Sequence, residues 1–147
     1  AVSVSTGIVS TLAGSGSRGH ADGAAEESRF SWPYGVGVSP DGSTVYVADS
    51  GNNRIRAVSV ESGEVRTLAG QGPAGFADGP AATAKFYGPR AVVVSPDGTK
   101  LYVADYSNFR VRAIDLVSQD KYVTTILNGG GNSNNGGGGG EFYRPAG

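Results

Sequence analysis

The chain has 147 residues, a net charge of −1 and no cysteine, which allows one ordinary domain and excludes a disulfide framework and thiolate chemistry. Near-neutral charge gives no general pull toward nucleic acid or an anionic membrane. The longest apolar run, "AVVV" at 91–94, is far too short to cross a bilayer.

In chain order, residues 1–14 ("AVSVSTGIVSTLAG") hold two short β-branched runs around Gly7 and read as a pair of outer strands. Residues 15–32 are rich in Gly, Ser and Ala and read as a connecting loop. Within 33–70 four strands follow one another. "YGVGV" leads into the tight turn "SPDG", then "TVYVAD", the turn "SGNN", "RIRAVSV", the turn "ESG" and "EVRTLAG". Residues 71–88 form a second connecting loop, and 89–128 repeat the four strands. The last part, 129–147, holds the run "GGGNSNNGGGGG" (129–140), read as a flexible loop, and then "EFYRP", the start of a further unit. No stretch carries a sustained apolar period of a helix, so helix is not expected.

Residues 1–56 align with 57–112 without a gap, and 31 of the 56 positions are identical. Such a period indicates stacked supersecondary units that cannot bury their apolar faces alone. Strand alternation puts Val45 and Val47 on one face and Tyr46 and Ala48 on the other. Val36 and Val38 share a face with Tyr34 and have only glycines opposite. Sheets that are apolar or very small on both faces are sandwiched between neighbours. Four-stranded sheets packed face to face around an axis make a β-propeller. The fold class is therefore all-β: two full four-stranded blades (33–70 and 89–128), with partial blades at 1–14 and 129–147. An open β-solenoid is the alternative, but its repeat is normally shorter. The half-blades lead to the expectation that these residues are a piece of a longer propeller.

The pattern F-x-x-P-x-x-V-x-V-S-P-D-G followed by V/L-Y-V-A-D-x-x-N-x-R-I/V-R resembles the NHL repeat. The resemblance covers two whole copies and both ragged ends. It implies a propeller, commonly six-bladed, used mostly as a binding platform. The linkers "TLAGSG" and "ADG" resemble those of bacterial and algal proteins, many of them exported, so an extracellular or cell-surface place is favoured.

Asp49 and Asp105 end the second strand of each repeat, and Arg54 and Arg110 begin the third across a short turn. These are read as structural pairs, Asp49 with Arg54 and Asp105 with Arg110, because a residue present in every blade serves the blade. Asn52 and Asn108 are assigned the unusual backbone angles of that turn. Arg56 and Arg112 are expected to lay their stems over apolar surface. This turn and the long loops emerge on one face of the disc, which is the candidate interaction surface: His20, Asp22, Asn53, Phe76, Asp78, Tyr106 and Phe109. Positions that break the repeat are the informative ones, namely Tyr34 against Arg90, Ser50 against Tyr106, and Asn53 against Phe109. Tyr106 and Phe109 would expose aromatic surface suited to protein or glycan contacts, or pack on a neighbouring loop.

His20 aligns with Phe76, so an anchoring role outweighs a metal or acid–base role. Asp22 and Asp78 could offer carboxylate to calcium, but each "ADG" holds a single carboxylate and a turn role is preferred. The glycine run lacks the strand-then-helix context of a phosphate cradle. Neither a cofactor nor a metal is therefore expected, and no catalytic set is built from this chain. Arginines are scattered and balanced by acids, which disfavours nucleic acid. The expected partners are proteins, including further blades or copies, with glycan as an option. The leading function is a non-catalytic propeller scaffold. The alternatives are a propeller enzyme of lyase or lactonase type, whose converging His, Asp or Glu residues lie in further blades, and a structural subunit of an extracellular assembly.

Overall fold

The structure is a computed structural model and describes residues 1–128. It contains two antiparallel sheets. The first joins β1 (Pro33–Val38), β2 (Thr44–Asp49), β3 (Arg54–Ser59) and β4 (Val65–Ala69) in sequential order. The second is built of β5 (Gly79–Pro80), β6 (Pro89–Val94), β7 (Lys100–Asp105), β8 (Arg110–Asp115) and β9 (Tyr122–Asn128), in the order 5-9-8-7-6. The second sheet thus has five strands rather than four. The extra one is a two-residue strand from the connecting loop, Gly79 opposite Val123 and Pro80 opposite Tyr122. In the first copy the same loop position makes a single bridge, Gly23 to Val65. Residues 1–14 form a short hairpin in which Val2 faces Val9, the counterpart of Val58 facing Val65 in the first sheet. The glycine run 129–140 and the expected start of a further blade lie outside the described residues.

The turn after β2 is a three-residue 3-10 turn, Ser50–Asn52, and its copy is Tyr106–Asn108. These are the only helical turns among the described residues, and neither is long or apolar enough to cross a membrane. The left-handed residue ending each turn is not Asn52 or Asn108 as the sequence suggested. It is Asn53 and Phe109, both at φ 53°.

The sheets pack face to face, closest at their first strands, β1 against β6. Gly35 and Gly37 explain that approach. A Cβ on Gly35 would lie 2.5 Å from the carbonyl oxygen of Arg90, and one on Gly37 3.0 Å from that of Val92. The alternation of glycine with valine in β1 is thus the imprint of a neighbouring backbone. Farther out, Tyr46, Ala48, Ile55, Ala57 and Leu68 of the first sheet meet Val92, Leu101, Val103, Ile114 and Val123 of the second in one apolar core. The opposite face of the first sheet holds Val36, Val38, Val45, Val47 and Val58, with Leu12 and Phe30 at its margin. Near-axial first strands and sheets splaying outward are the geometry of propeller blades.

Candidate interaction face and its loop staple

The repeated Asp and Arg residues that drew notice in the sequence do pair, but in a different combination. Asp49 and Arg54 stand opposite each other in the β2–β3 ladder, yet the ion pair runs from Asp49 to Arg56, at 2.8 Å. Its copy joins Asp105 to Arg112 at 2.7 Å. All four side chains are fully buried. Arg54 instead donates to the carbonyls of Gln71 and Asn52. Arg110 donates to Asn108 O and Asn128 Oδ1, and lies over the Phe76 ring.

The head of Arg56 is buried along with its stem, 5.0 Å from the Phe30 ring. Its five N–H donors are all used. Nε and Nη2 reach Asp22 Oδ1 at 3.2 and 2.5 Å, Nη2 reaches Ala21 O at 2.7 Å, and Nη1 reaches Asp49 Oδ2 and Arg29 O at 2.8 and 3.0 Å. Arg112 repeats the set with Asp78, Ala77, Asp105 and Lys85. Asp49 in turn accepts from the Ser31 amide and from Asn52 Nδ2, which also donates to Gly19 O. Each repeat therefore uses one arginine and one aspartate to staple the preceding loop onto the blade. A buried charge without such partners would be costly.

Asp22 is the loop's half of this staple. Oδ1 faces Arg56 and the Thr67 hydroxyl, and Oδ2 accepts from the Thr67 amide. Asp78 does the same with Arg112 and Thr125. Burial pushes the Asp22 and Asp78 carboxyls up, but the arginine and threonine donors outweigh it and hold both below the ordinary carboxylate range. With both oxygens of each carboxylate turned to a guanidinium and N–H or O–H donors, neither side chain is oriented to receive calcium.

The remaining members of the candidate face separate into two groups. Asn53 belongs to the joint between blades: Nδ2 donates to Gly72 O and Oδ1 accepts from the Gly88 amide. His20 meets Thr67 Oγ1 at 3.2 Å beside an open groove of about 850 Å³ between the outer edges of the sheets. Partial burial, then Arg54 and Arg56, lower its pKa, favouring neutral imidazole. Phe76, Tyr106 and Phe109 do reach solvent. Among the described residues no group of three or more His, Cys, Asp or Glu side chains could hold a metal.

Two features of this face escaped the sequence. Trp32 adopts φ 50° where its copy is Gly88 at φ 56°. It is 63% exposed, with Arg18 stacked on its ring at 5.6 Å. Arg90 lies 3.6 Å from the Tyr106 ring centre and 5.3 Å from that of Tyr34. The available signal for the staple was the shared offset of 34 residues, Asp22 to Arg56 and Asp78 to Arg112. For Trp32 it was the exchange with glycine at one repeat position.

Two sheets joined where the glycines of β1 meet the backbone of β6, each stapled by the loop before it, define an all-β protein of NHL-type propeller blades. No family model matches the chain. It is 36% identical over 109 residues to Protein SUPPRESSOR OF QUENCHING 1, chloroplastic, of Arabidopsis thaliana, covering 74% of this chain and 10% of that protein. It is 32% identical over 111 residues to NHL repeat-containing protein 2 of Gallus gallus, covering 75% of this chain and 15% of the relative. Among solved structures, an auxiliary nutrient binding protein from Bacteroides thetaiotaomicron VPI-5482 superposes with a TM-score of 0.64 at 22% identity, over 84% of this chain and 31% of that one. These likenesses support the NHL-repeat β-propeller family for this chain. It spans only a small part of the curated relatives it matches.

Proposed function

We propose that the chain is part of a non-catalytic propeller scaffold that binds protein partners on the face carrying the long loops. The observation that supports this most directly is how the polar and aromatic groups are allotted. The buried charged groups, Arg56, Asp49, Arg112 and Asp105, are consumed in the same staple in both repeats. Residues that depart from the repeat and stay in solvent include Trp32, Tyr34, Phe76, Arg90, Tyr106 and Phe109. Tyr, Trp and Arg are the side chains over-represented among energetic anchors of protein interfaces. The chain's structural neighbours include proteins titled as nutrient binding, which is in keeping with a platform role. The likeness of the "TLAG" and "ADG" linkers to exported proteins favours a place outside the cell.

The test is photo-crosslinking from a probe at exposed position 109, compared with the same probe in the Tyr106→Ser variant, which restores the residue of the first repeat at position 106. Protein crosslinks lost on that exchange, with the melting temperature kept, are expected. Unchanged crosslinking, or turnover of a lactone or uronate substrate abolished by His20→Ala, would reject the reading.

A further inference from the structure

We infer that Arg90, held flat by Tyr106 and Tyr34 near the axis of the stack, is a recognition site for a carboxylate carried by an acidic protein segment. The inference rests on the protein-binding reading of this face and adds the chemistry of the partner. Arg90 occupies the second position of β6, and Tyr34 the same position of β1. These first strands are where the two blades come closest, so two copies of one repeat position face each other with different chemistry.

Apart from Arg29, whose exposed side chain has neither a hydrogen bond nor a ring contact among the described residues, the other arginines of this face are already engaged. Arg56 and Arg112 fill every donor, Arg54 and Arg110 hold carbonyls, and Arg18 bonds Ser31 Oγ. Arg90 is exposed and makes no hydrogen bond or ion pair with any described residue. What it has is ring contact, at 3.6 Å to Tyr106 and 5.3 Å to Tyr34. Stacking takes the flat of the guanidinium and leaves the N–H edge open. That edge forms the fork that matches a carboxylate with two parallel hydrogen bonds. The rings also hold the side chain in place before binding, which lowers the ordering cost that a free arginine would bear. The same fork fits phosphate oxygens, so a phosphoserine–glycine peptide that bound more tightly than a glutamate–glycine peptide would overturn the carboxylate assignment.

The test uses fluorescence anisotropy of the whole chain with a labelled glutamate–glycine repeat peptide and its glutamine–glycine counterpart. The glutamate peptide should bind, more weakly as salt rises, and the glutamine peptide should not. Arg90→Gln should weaken binding about ten- to a hundredfold. Arg90→Lys should recover only part of it, and Tyr106→Ser should give an intermediate loss. Because Arg90 is exposed, melting temperatures should not change. The site is overturned by equal affinity for both peptides, by unchanged affinity in Arg90→Gln, or by no binding of the glutamate peptide. Oligogalacturonate binding more tightly than the peptide, in an Arg90-dependent way, would overturn the protein partner and assign the carboxylate to a glycan. Crosslinking from position 109 registers a protein partner of any charge, so loss of this site leaves the broader proposal separately testable.

Discussion

Asp49 and Arg56 meet at 2.8 Å with neither side chain exposed to solvent. Removing the acid strands a guanidinium in the blade interior with one of its five bonds gone. Asp49→Ala should therefore cost about 3–5 kcal/mol of stability, read as a drop in melting temperature. Arg54→Ala, which loses contacts to two carbonyls only, should cost far less. Equal losses in the two variants would show that the ladder partner carries the pairing after all.

Acid should loosen the staple from its loop side. Asp22 and Asp78 have carboxyls lowered from an ordinary value near 3.8. A depressed carboxyl contributes stability above its unfolded pKa and loses that contribution as pH falls through the folded value. Asp41 and Asp97, held at about 2 by the Ser39 and Ser95 hydroxyls and by donors of Ser43 and Thr99, act in the same window. Melting temperature should be flat from neutrality to about pH 5 and fall below pH 4. Asp22→Asn with Asp78→Asn should lower the neutral-pH value and flatten the acid slope. An unaltered slope would place the acid sensitivity elsewhere.

Gly35→Ala should part the blades at their closest point. Its Cβ would meet backbone at 2.5 and 2.8 Å, the carbonyl of Arg90 and the Cα of Ala91. Neither atom can turn aside as a side chain would. We expect a loss of about 1–3 kcal/mol with strand content kept in the circular dichroism spectrum. Unchanged melting would mean that the two inner strands do not pack this tightly.

Trp32→Gly should stabilise the chain. A bulky residue at φ 50° sits where its repeat copy is glycine, and left-handed backbone costs a side-chain-bearing residue roughly 1–2 kcal/mol. A gain of about 1 kcal/mol is expected, since the ring is largely exposed. A fall in melting temperature would instead show that the Arg18–Trp32 stack outweighs the strain.

The strands were legible because a period of two, a proline–aspartate–glycine turn and a copy 56 residues on all agreed. The pairing of charges was not. Arg54 and Arg56 point to the same side of one strand, so local spacing ranks the nearer one first. What selects Arg56 is Asp22, 34 residues upstream and brought back by the loop, a relation no short window contains. The αL residue was misplaced for a related reason. Asn52 and Asn53 are both suited to it, and Phe109 in the second copy argues against an asparagine requirement at the position that takes it. Asn52 is kept for the hydrogen bond from its side chain to Asp49. On the candidate face, Asp22, Asp78 and Asn53 act as internal fasteners, while the ring contacts of Arg90 depend on two blades meeting.

The joint between the sheets is made by unlike surfaces: glycine, tyrosine and alanine with Ile55 and Leu68 on one side, and only valine, leucine and isoleucine opposite. Such a contact has a direction. Each repeat offers a socket on one flank and a plug on the other, so repeats of this kind add head to tail, and only the rotation per step decides whether the series closes into a ring or runs on as an open helix. A substitution in a plug is felt by one neighbour alone. Sequence drift on the two flanks can therefore be independent, with each joint evolving as its own lock.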